Sequence, residues 1–170
     1  MTIAEYVKMF QSNDYSRFNE FYKQTAKVVY FTALGILKNP ALAEEIMQDT
    51  FVAFLDNIDK CRPNENVFAY LSVIARNKSI NYRKRASATV YGDDILDSMR
   101  SDYGVGEDGV NEILSLLESE EEREIVAYHV LIGYKFKEIS LIMRKPLGTI
   151  LWRYNKAIKT LREKAGTLYE

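Results

Sequence analysis

The chain has a single cysteine, Cys61, and a single histidine, His129, and these two scarcities limit its chemistry. One thiol cannot form a disulfide within the chain, which suits a reducing cytosol. One Cys and one His cannot supply the ligands of a usual zinc site. We therefore expect no metal and no other cofactor, and we expect a structural role for His129.

Long apolar runs are also missing. No run reaches the roughly 18 residues that a membrane-spanning helix requires. The N-terminal segment, MTIAEYVKMFQSNDY, lacks the basic start and apolar block of a secretory signal. Hydrophobic residues nevertheless make up 47% of the 170-residue sequence, which is enough to build real cores. We therefore expect a soluble, cytoplasmic protein with one ordinary domain or two small ones.

Charge is close to balanced overall but is divided sharply along the chain. Residues 1–85 carry 12 basic and 9 acidic side chains, residues 86–122 carry 1 and 11, and residues 123–170 carry 10 and 4. Two basic segments therefore flank a strongly acidic one, although the net charge is −1. Basic segments of this kind are candidate nucleic-acid surfaces that the overall isoelectric point hides.

Apolar residues recur at three- and four-residue steps, which is typical of amphipathic helices. Thr2 with Glu5 and Asn39 with Pro40 are helix-start signals, and Gly133 is a stop signal. The pattern predicts an all-α fold with two small helical domains, at 1–86 and 110–170. A flexible acidic linker at 87–109 joins them. The predicted helices cover 16–38, 40–59, 67–85, 110–117, 136–143 and a long last helix from 146, with a further helix after a capping box at 119–122.

The predicted helix 67–85 has one apolar stripe and one mixed face. The mixed face combines a ring, amides and fixed positive charge, which are the groups that bind single-stranded nucleic acid. Rings stack on unpaired bases, amides bond base edges, and cations hold phosphates. The alternative is an ordinary amphipathic helix with a solvated basic end. The candidate residues are Tyr70, Arg76, Asn77, Asn81, Arg83 and Lys84.

The predicted helix 40–59 also has two stripes, one apolar and one largely acidic. A solvated face is the simpler interpretation of the acidic stripe, and a docking strip for a basic partner helix is the functional one. Paired carboxylates can serve acid–base catalysis, but no nucleophile, metal partner or cleft is indicated nearby. We therefore do not predict an enzyme. The acidic stripe consists of Glu45, Gln48, Asp49, Val52 and Asp56.

Near the C-terminus, two predicted helices are joined by a short turn at 144–145. A second helix that is basic and amphipathic favours a helix-turn-helix, whose second helix enters the DNA major groove. Helical hairpins of this shape also occur without DNA. The candidate DNA-contacting residues are Lys145, Thr149, Trp152, Arg153 and Lys156.

Taken together, these motifs resemble an extracytoplasmic-function sigma factor of bacterial RNA polymerase. The resembling segments read ILKNPALAEEIMQDTFVAFLDNID, AYLSVIARNKSINYRKR and EEREIVAYHVLIGYKFKEISLIMRKPLGTILWRYNKAIKTLRE. The first two resemble sigma region 2, and the third resembles sigma region 4. Tyr70 stands where the family commonly has Trp, and Asn81 stands where Asp is common. The resemblance covers nearly the whole chain, in the order that the family has.

The resemblance implies a role for each surface. Gln48, Asp49 and their neighbours would dock on the coiled coil of the polymerase beta-prime subunit. The loop 60–66 with the mixed face would capture an unpaired base of the −10 promoter element, and the last helix would read the −35 element. The linker would thread the RNA exit path. Implied partners are core RNA polymerase, including its beta flap, promoter DNA and an anti-sigma factor, with a monomer when free.

Two other classes of function stay open at this stage. One is a helix-turn-helix transcriptional regulator whose N-terminal half dimerises or senses a signal. It predicts a stable homodimer that binds duplex DNA tightly without polymerase. The other is an interaction protein that binds polymerase or a sigma factor without touching DNA. It would leave the face of Asn77 and Arg153 without a use.

Overall fold

The computed structural model describes residues 1–88 and 107–168, and every regular element in these two ranges is helical. The predicted all-α class is therefore confirmed. A 3₁₀ turn at Ile58–Lys60 follows α3, and α6 continues directly into a π-helical stretch at Ala127–Ile132. The helices are α1 (Ile3–Gln11), α2 (Phe18–Leu37), α3 (Pro40–Asp56), α4 (Val67–Ala88), α5 (Glu107–Ser115), α6 (Glu120–Val126), α7 (Phe136–Met143) and α8 (Leu147–Leu168).

The predicted helix-start and helix-stop residues lie at helix ends in the structure. Thr2 and Glu5 form a complete capping box at the start of α1. The Asn39 side chain accepts from the Leu42 amide 3.1 Å away, with Pro40 in the first turn of α3. Gly133, at φ 88°, closes the π-helical stretch in the left-handed conformation that glycine tolerates best.

Several helix ends differ from the prediction. α3 ends at Asp56, because the Asn57 side chain bonds the Ala53 carbonyl and a 3₁₀ turn takes over. α4 continues to Ala88, and α5 begins at Glu107, inside the segment predicted as linker. The remainder of that segment, 89–106, lies outside the described residues. The linker and the domain boundaries stay predictions.

The N-terminal half is built around an aromatic core contributed by α1 to α4. The Phe21 ring is fully buried and lies 5.2 Å from Phe10 and 5.4 Å from Phe54, measured between ring centroids. Edge-to-face and offset ring pairs of this kind add to the stabilisation from apolar burial. Thr25 and Thr50 are buried too, but each hydroxyl donates to the carbonyl four residues earlier, so neither is left unsatisfied.

The C-terminal half has two smaller apolar clusters, and one of them extends into the N-terminal half. Ile125, Tyr128 and Ile139 are fully buried in that cluster, and Val28 of α2 is part of it. Phe68 and Val73 of α4 pack against its edge. The other cluster joins α5, α6 and α8. The C-terminal half therefore packs on α2 and α4.

A glycine permits the closest approach between the two halves. A Cβ atom placed on Gly35 of α2 would lie 3.3 Å from the Ala127 Cβ and 3.5 Å from the Arg123 carbonyl oxygen. The Arg123 guanidinium donates to the Gly35 carbonyl at 3.3 Å. The Tyr134 and Ser72 hydroxyls lie 2.9 Å apart in a further buried contact. Packing and hydrogen bonds therefore both contribute to this interface.

Phe21→Ala tests the aromatic core. Emptying this site should lower the free energy of unfolding by about 3–5 kcal/mol, because the cavity would lie among rings from two other helices, α1 and α3. Val52→Ala on α3 should change it by less than about 0.5 kcal/mol, since that side chain is 59% exposed. Urea denaturation measures both values. Equal effects of the two substitutions would contradict this assignment of the core.

Candidate nucleic-acid and polymerase interface

α4 is held at its N-terminal end by side chains from elsewhere in the chain. The Asn66 side chain accepts from the Ala69 amide at 3.1 Å and donates to Glu138 of α7 at 3.2 Å. The Gln11 amide donates to the carbonyls of Ile58 and Cys61 at 3.0 and 2.8 Å. Hydrogen bonds therefore hold both ends of the predicted base-binding loop, 60–66, in place. Sequence analysis did not single out Gln11, because its partners lie far from it along the chain.

The mixed face of α4 is partly open and partly covered. Asn77, Asn81 and Lys84 are exposed, as a nucleic-acid face requires. Tyr70 is half-buried instead, with its ring edge-on to Phe54 at 6.2 Å. Burial also raises the pKa of the Tyr70 hydroxyl. Tyr70 is therefore part of the wall of the aromatic core as well as part of the candidate face.

The two predicted arginines of α4 point to carboxylates in the C-terminal half. Arg76 Nε lies 2.8 Å from Glu124 Oε2, with the side chains 18% and 1% exposed. Arg83 pairs with Glu120. Burial raises the pKa of the Glu124 carboxyl, although Arg76 acts in the opposite direction. The structure therefore engages both cations within the chain.

α7 and α8 form the predicted helix-turn-helix. Arg144 adopts the left-handed conformation at φ 53°, and the Lys145 amide donates to the Ser140 carbonyl at 3.1 Å. Ile139 and Ile150 are buried where the two helices meet. Trp152 is 61% exposed on the opposite side of α8, and its ring lies 5.5 Å from Lys156 Nζ. An exposed ring beside a cation suits an interface with DNA.

The predicted −35 residues are also placed next to carboxylates. Lys145 Nζ and Arg153 Nε each lie 2.7 Å from a Glu121 oxygen, and Lys156 Nζ lies 3.3 Å from Glu122. The hydrogen bond from Lys145, together with the charge of Arg153, lowers the pKa of the Glu121 carboxyl. Thr149, the remaining predicted residue, is half-buried at the start of α8.

The acidic stripe of α3 is fully separated from its apolar stripe. Glu45, Gln48, Asp49, Val52 and Asp56 are all exposed. The buried residues of the same helix are Ala43, Ile46, Met47, Thr50, Phe51 and Phe54. The structure thus leaves the predicted docking strip facing solvent, on a helix whose other side belongs to the aromatic core.

The cysteine and the histidine have structural surroundings. Cys61 is buried, and burial raises the pKa of its thiol, which disfavours the reactive thiolate. His129 Nδ1 lies 2.8 Å from the Tyr134 carbonyl oxygen, and its ring stacks on Phe136 at 4.1 Å. These contacts orient the ring against α7 and α8.

Four glutamates at the start of α6 complete the site, and sequence analysis missed their role. Glu120, Glu121, Glu122 and Glu124 together engage five of the predicted DNA-contacting cations. The sequence did show Ser119 as the N-cap of this helix, and its hydroxyl accepts from the Glu122 amide. It gave no sign of partners on helices distant along the chain.

Comparison with known proteins finds one family similar to part of this chain and solved structures similar to most of it. Residues 21–89 match the family model of sigma-70 region 2. The sigma factor RpoE of Bartonella quintana, solved in complex with the anti-sigma factor NepR, aligns with a TM-score of 0.69 and 23% identity. The alignment covers 86% of this chain and 94% of that one. CnrH, solved in complex with the cytosolic domain of CnrY, aligns with a TM-score of 0.71 and 17% identity, over 96% and 97% of the two chains.

The fold of the described residues is therefore similar to that of these two all-α proteins, and residues 21–89 match sigma-70 region 2. The predicted resemblance to extracytoplasmic-function sigma factors is confirmed. These findings support an RNA polymerase sigma factor. The individual site residues stay predictions. Within the described residues, no helix is long and apolar enough to cross a membrane.

Asp49→Arg tests the docking strip. Asp49 is exposed beside the core stripe, so the substitution should leave the melting temperature unchanged. It should weaken binding to core polymerase by several kcal/mol, because a cation would then face a basic partner. Asp59→Arg, an equal charge change at an exposed position outside the strip, is the control for the binding titration. Equal affinities of the two variants would remove the strip from the interface.

Proposed function

We propose that this protein is a sigma factor of the extracytoplasmic-function type, which directs core RNA polymerase to specific promoters in the cytoplasm. The observation that carries the proposal is the exposed amide face of α4, within the matched region 2 segment and apart from the docking strip. The helix-turn-helix supplies a second DNA surface. The protein contributes specificity and strand separation, and the bond-forming chemistry belongs to polymerase.

Each surface has one task in this proposal. The acidic strip of α3 binds the coiled coil of the beta-prime subunit, and the C-terminal half contacts the beta flap. α8 enters the major groove of the −35 element with Lys145, Thr149, Trp152, Arg153 and Lys156. α4 binds unpaired bases of the −10 element, which stabilises the melted strand by keeping bases out of the stack.

An anti-sigma factor is part of the proposal. RpoE of Bartonella quintana was solved with the anti-sigma factor NepR, and CnrH with the cytosolic domain of CnrY. The similar fold of this chain supports a protein inhibitor of the same kind. The free chain is proposed to be a monomer.

Transcription by purified core polymerase on a promoter library is the direct test. The sigma factor proposal requires that the protein produce promoter-specific transcripts only when core polymerase is present. A helix-turn-helix regulator would instead bind duplex DNA tightly as a homodimer and produce no such transcripts. Binding to polymerase without any DNA preference would favour the interaction protein.

Asn77→Ala tests the base-binding face of α4. Asn77 is exposed, so its loss should affect neither stability nor core binding. Tyr70→Leu removes the ring and is preferred to Tyr70→Ala because the ring packs on Phe54. Loss of a stacking ring typically costs about 1–3 kcal/mol of binding. Both variants should fail to open the promoter, and a pre-melted bubble should restore only part of the activity.

Permanganate reactivity of promoter thymines measures this opening. Tyr70→Phe keeps the ring and should open promoters nearly as well as the wild type. The assignment of this face would be wrong if Asn77→Ala and Tyr70→Leu gave wild-type reactivity.

Arg153→Ala and Lys159→Ala separate base reading from phosphate binding on α8. Arg153→Ala should cost about 1–3 kcal/mol and relax preference at one upstream position. The Lys159 side chain is 79% exposed, and its replacement should weaken binding to all sequences equally. It should lower the salt slope by about one phosphate contact. Binding of the holoenzymes to −35 variants gives both values. If the two variants lost affinity in the same way across these sequences, the assignment of base reading to Arg153 and of phosphate binding to Lys159 would be wrong.

A further inference from the structure

A side chain of α1 holds the backbone at the start of the predicted base-binding loop, 60–66. Gln11 is the last residue of α1, and its Nε2 atom donates to the carbonyl oxygens of Ile58 and Cys61 at 3.0 and 2.8 Å. Ile58 is the first residue of the 3₁₀ turn, and Cys61 directly follows its last residue. One amide group therefore holds both ends of the turn from which the loop leaves the core, and it comes from a helix outside the segment 21–89 that matches region 2.

Burial fixes both sides of this contact. Phe10, the neighbour of Gln11, is fully buried in the aromatic core, so the end of α1 has a defined position. The side chains of Ile58 and Cys61 are buried in the same core. Because buried carbonyls need hydrogen-bond partners, the two bonds from Gln11 stabilise the 3₁₀ turn in this one conformation. The start of the loop is thus tied to the core through α1.

The middle of the loop is a short β-turn with little freedom of its own. The Glu65 amide donates to the Arg62 carbonyl at 3.0 Å, and the side chains of these two residues also form an ion pair. Pro63 occupies the second position of the turn, where its restricted φ is favourable. The Asn66 side chain caps α4 at the other end of the loop. Since the β-turn is rigid, its direction is set by the residues that hold its two ends.

Asn64 lies at the tip of this β-turn, and its side chain is exposed. A side-chain amide can donate to and accept from the edge of an unpaired base that is held out of the stack. Discrimination between bases requires such a group to lie within about 0.5 Å of its productive position. Gln11 is half-buried and its amide is engaged by two carbonyls, so it can affect a base only through the loop that it holds.

We propose that Gln11 is a positioning residue for base selection in the −10 element, which acts by fixing the direction of the β-turn 62–65 and thereby the position of the Asn64 amide. This inference rests on the proposed function and deepens it. It adds α1 to the parts of the protein that decide base preference, although α1 carries none of the predicted DNA-contacting residues. A purely structural role of Gln11 would lower stability and leave base preference unchanged.

Gln11→Met is the first test, because methionine has a similar length and volume but no side-chain N–H group. The variant is combined with core polymerase and transcribes a promoter library in which the −10 element is changed one base at a time. At the position that the loop reads, the ratio of transcript from the preferred base to transcript from the others should fall about fivefold or more. Base preference in the −35 element and affinity for core polymerase should keep their wild-type values.

Thr2→Ala is the matched control for stability. It removes the capping box at the opposite end of α1 and should lower the melting temperature without changing preference in the −10 element. Equal loss of this preference in Thr2→Ala and Gln11→Met would make the stability of α1 responsible and would exclude positioning by Gln11. Wild-type preference in Gln11→Met would exclude it as well.

Pro63→Gly is a second variant, and it leaves the contacts of Gln11 and the core in place. Glycine loosens the β-turn itself, so the same −10 position should lose its preference. If Pro63→Gly discriminated as well as the wild type, the direction of the turn would not decide base selection and the proposal would be wrong.

A double variant shows whether Gln11 acts through the turn. Asn64→Ala should abolish preference at the same position of the −10 element. Gln11→Met/Asn64→Ala should discriminate no less than Asn64→Ala alone, since a misplaced amide and a missing amide have the same consequence. Additive losses, or wild-type preference in Asn64→Ala, would overturn the proposal.

The same library separates this inference from the proposed function. If the wild type gave no promoter-specific transcripts with core polymerase, the sigma factor proposal would fail, and the inference would fail with it. If the wild type transcribed specific promoters and Gln11→Met kept the same −10 preference, the function would stand and only the role of Gln11 would be rejected.

Discussion

The guanidinium of Arg123 fixes the start of α6, and the arrangement of both candidate DNA surfaces depends on it. It donates to the carbonyls of Leu117 and Glu118 at 2.6 and 2.9 Å, and to Gly35 of α2 at 3.3 Å. One buried cation thereby satisfies three backbone acceptors from two halves of the chain. Burial lowers the pKa of Arg123, which still leaves the side chain charged. Loss of this anchor would remove contacts that hold the glutamates at the start of α6 beside α4.

Sequence could predict those features that depend on local spacing. The capping box at Thr2 and Glu5, the stop at Gly133 and the two stripes of α3 depend on residues within a few positions of one another, and each was found as predicted. Tyr70 was harder to place, because its helical position allows contact with either solvent or the core. Phe54, which covers it, belongs to a different helix, so local spacing does not relate the two rings.

The contacts between the halves could not be predicted from one sequence. Arg76 and Glu124 are separated by 48 residues, and nothing in their local patterns distinguishes a solvated arginine from a paired one. Segment charges did indicate that the acidic part lies between two basic parts. Opposite charges at that scale favour association in general, but they do not choose partners. The choice depends on the close packing at Gly35, which places one particular turn of α6 beside α4.

The same cations cannot bind glutamate and phosphate at once, so the internal ion pairs compete with DNA for them. A free protein with two open basic surfaces would bind chromosomal DNA without regard to sequence, because phosphate contacts carry most of the non-specific affinity. Internal pairing of these cations should lower that affinity, and it leaves the amides of Asn77 and Asn81, the predicted base-reading groups, exposed. A phosphate that binds one of these cations must therefore first displace its glutamate partner.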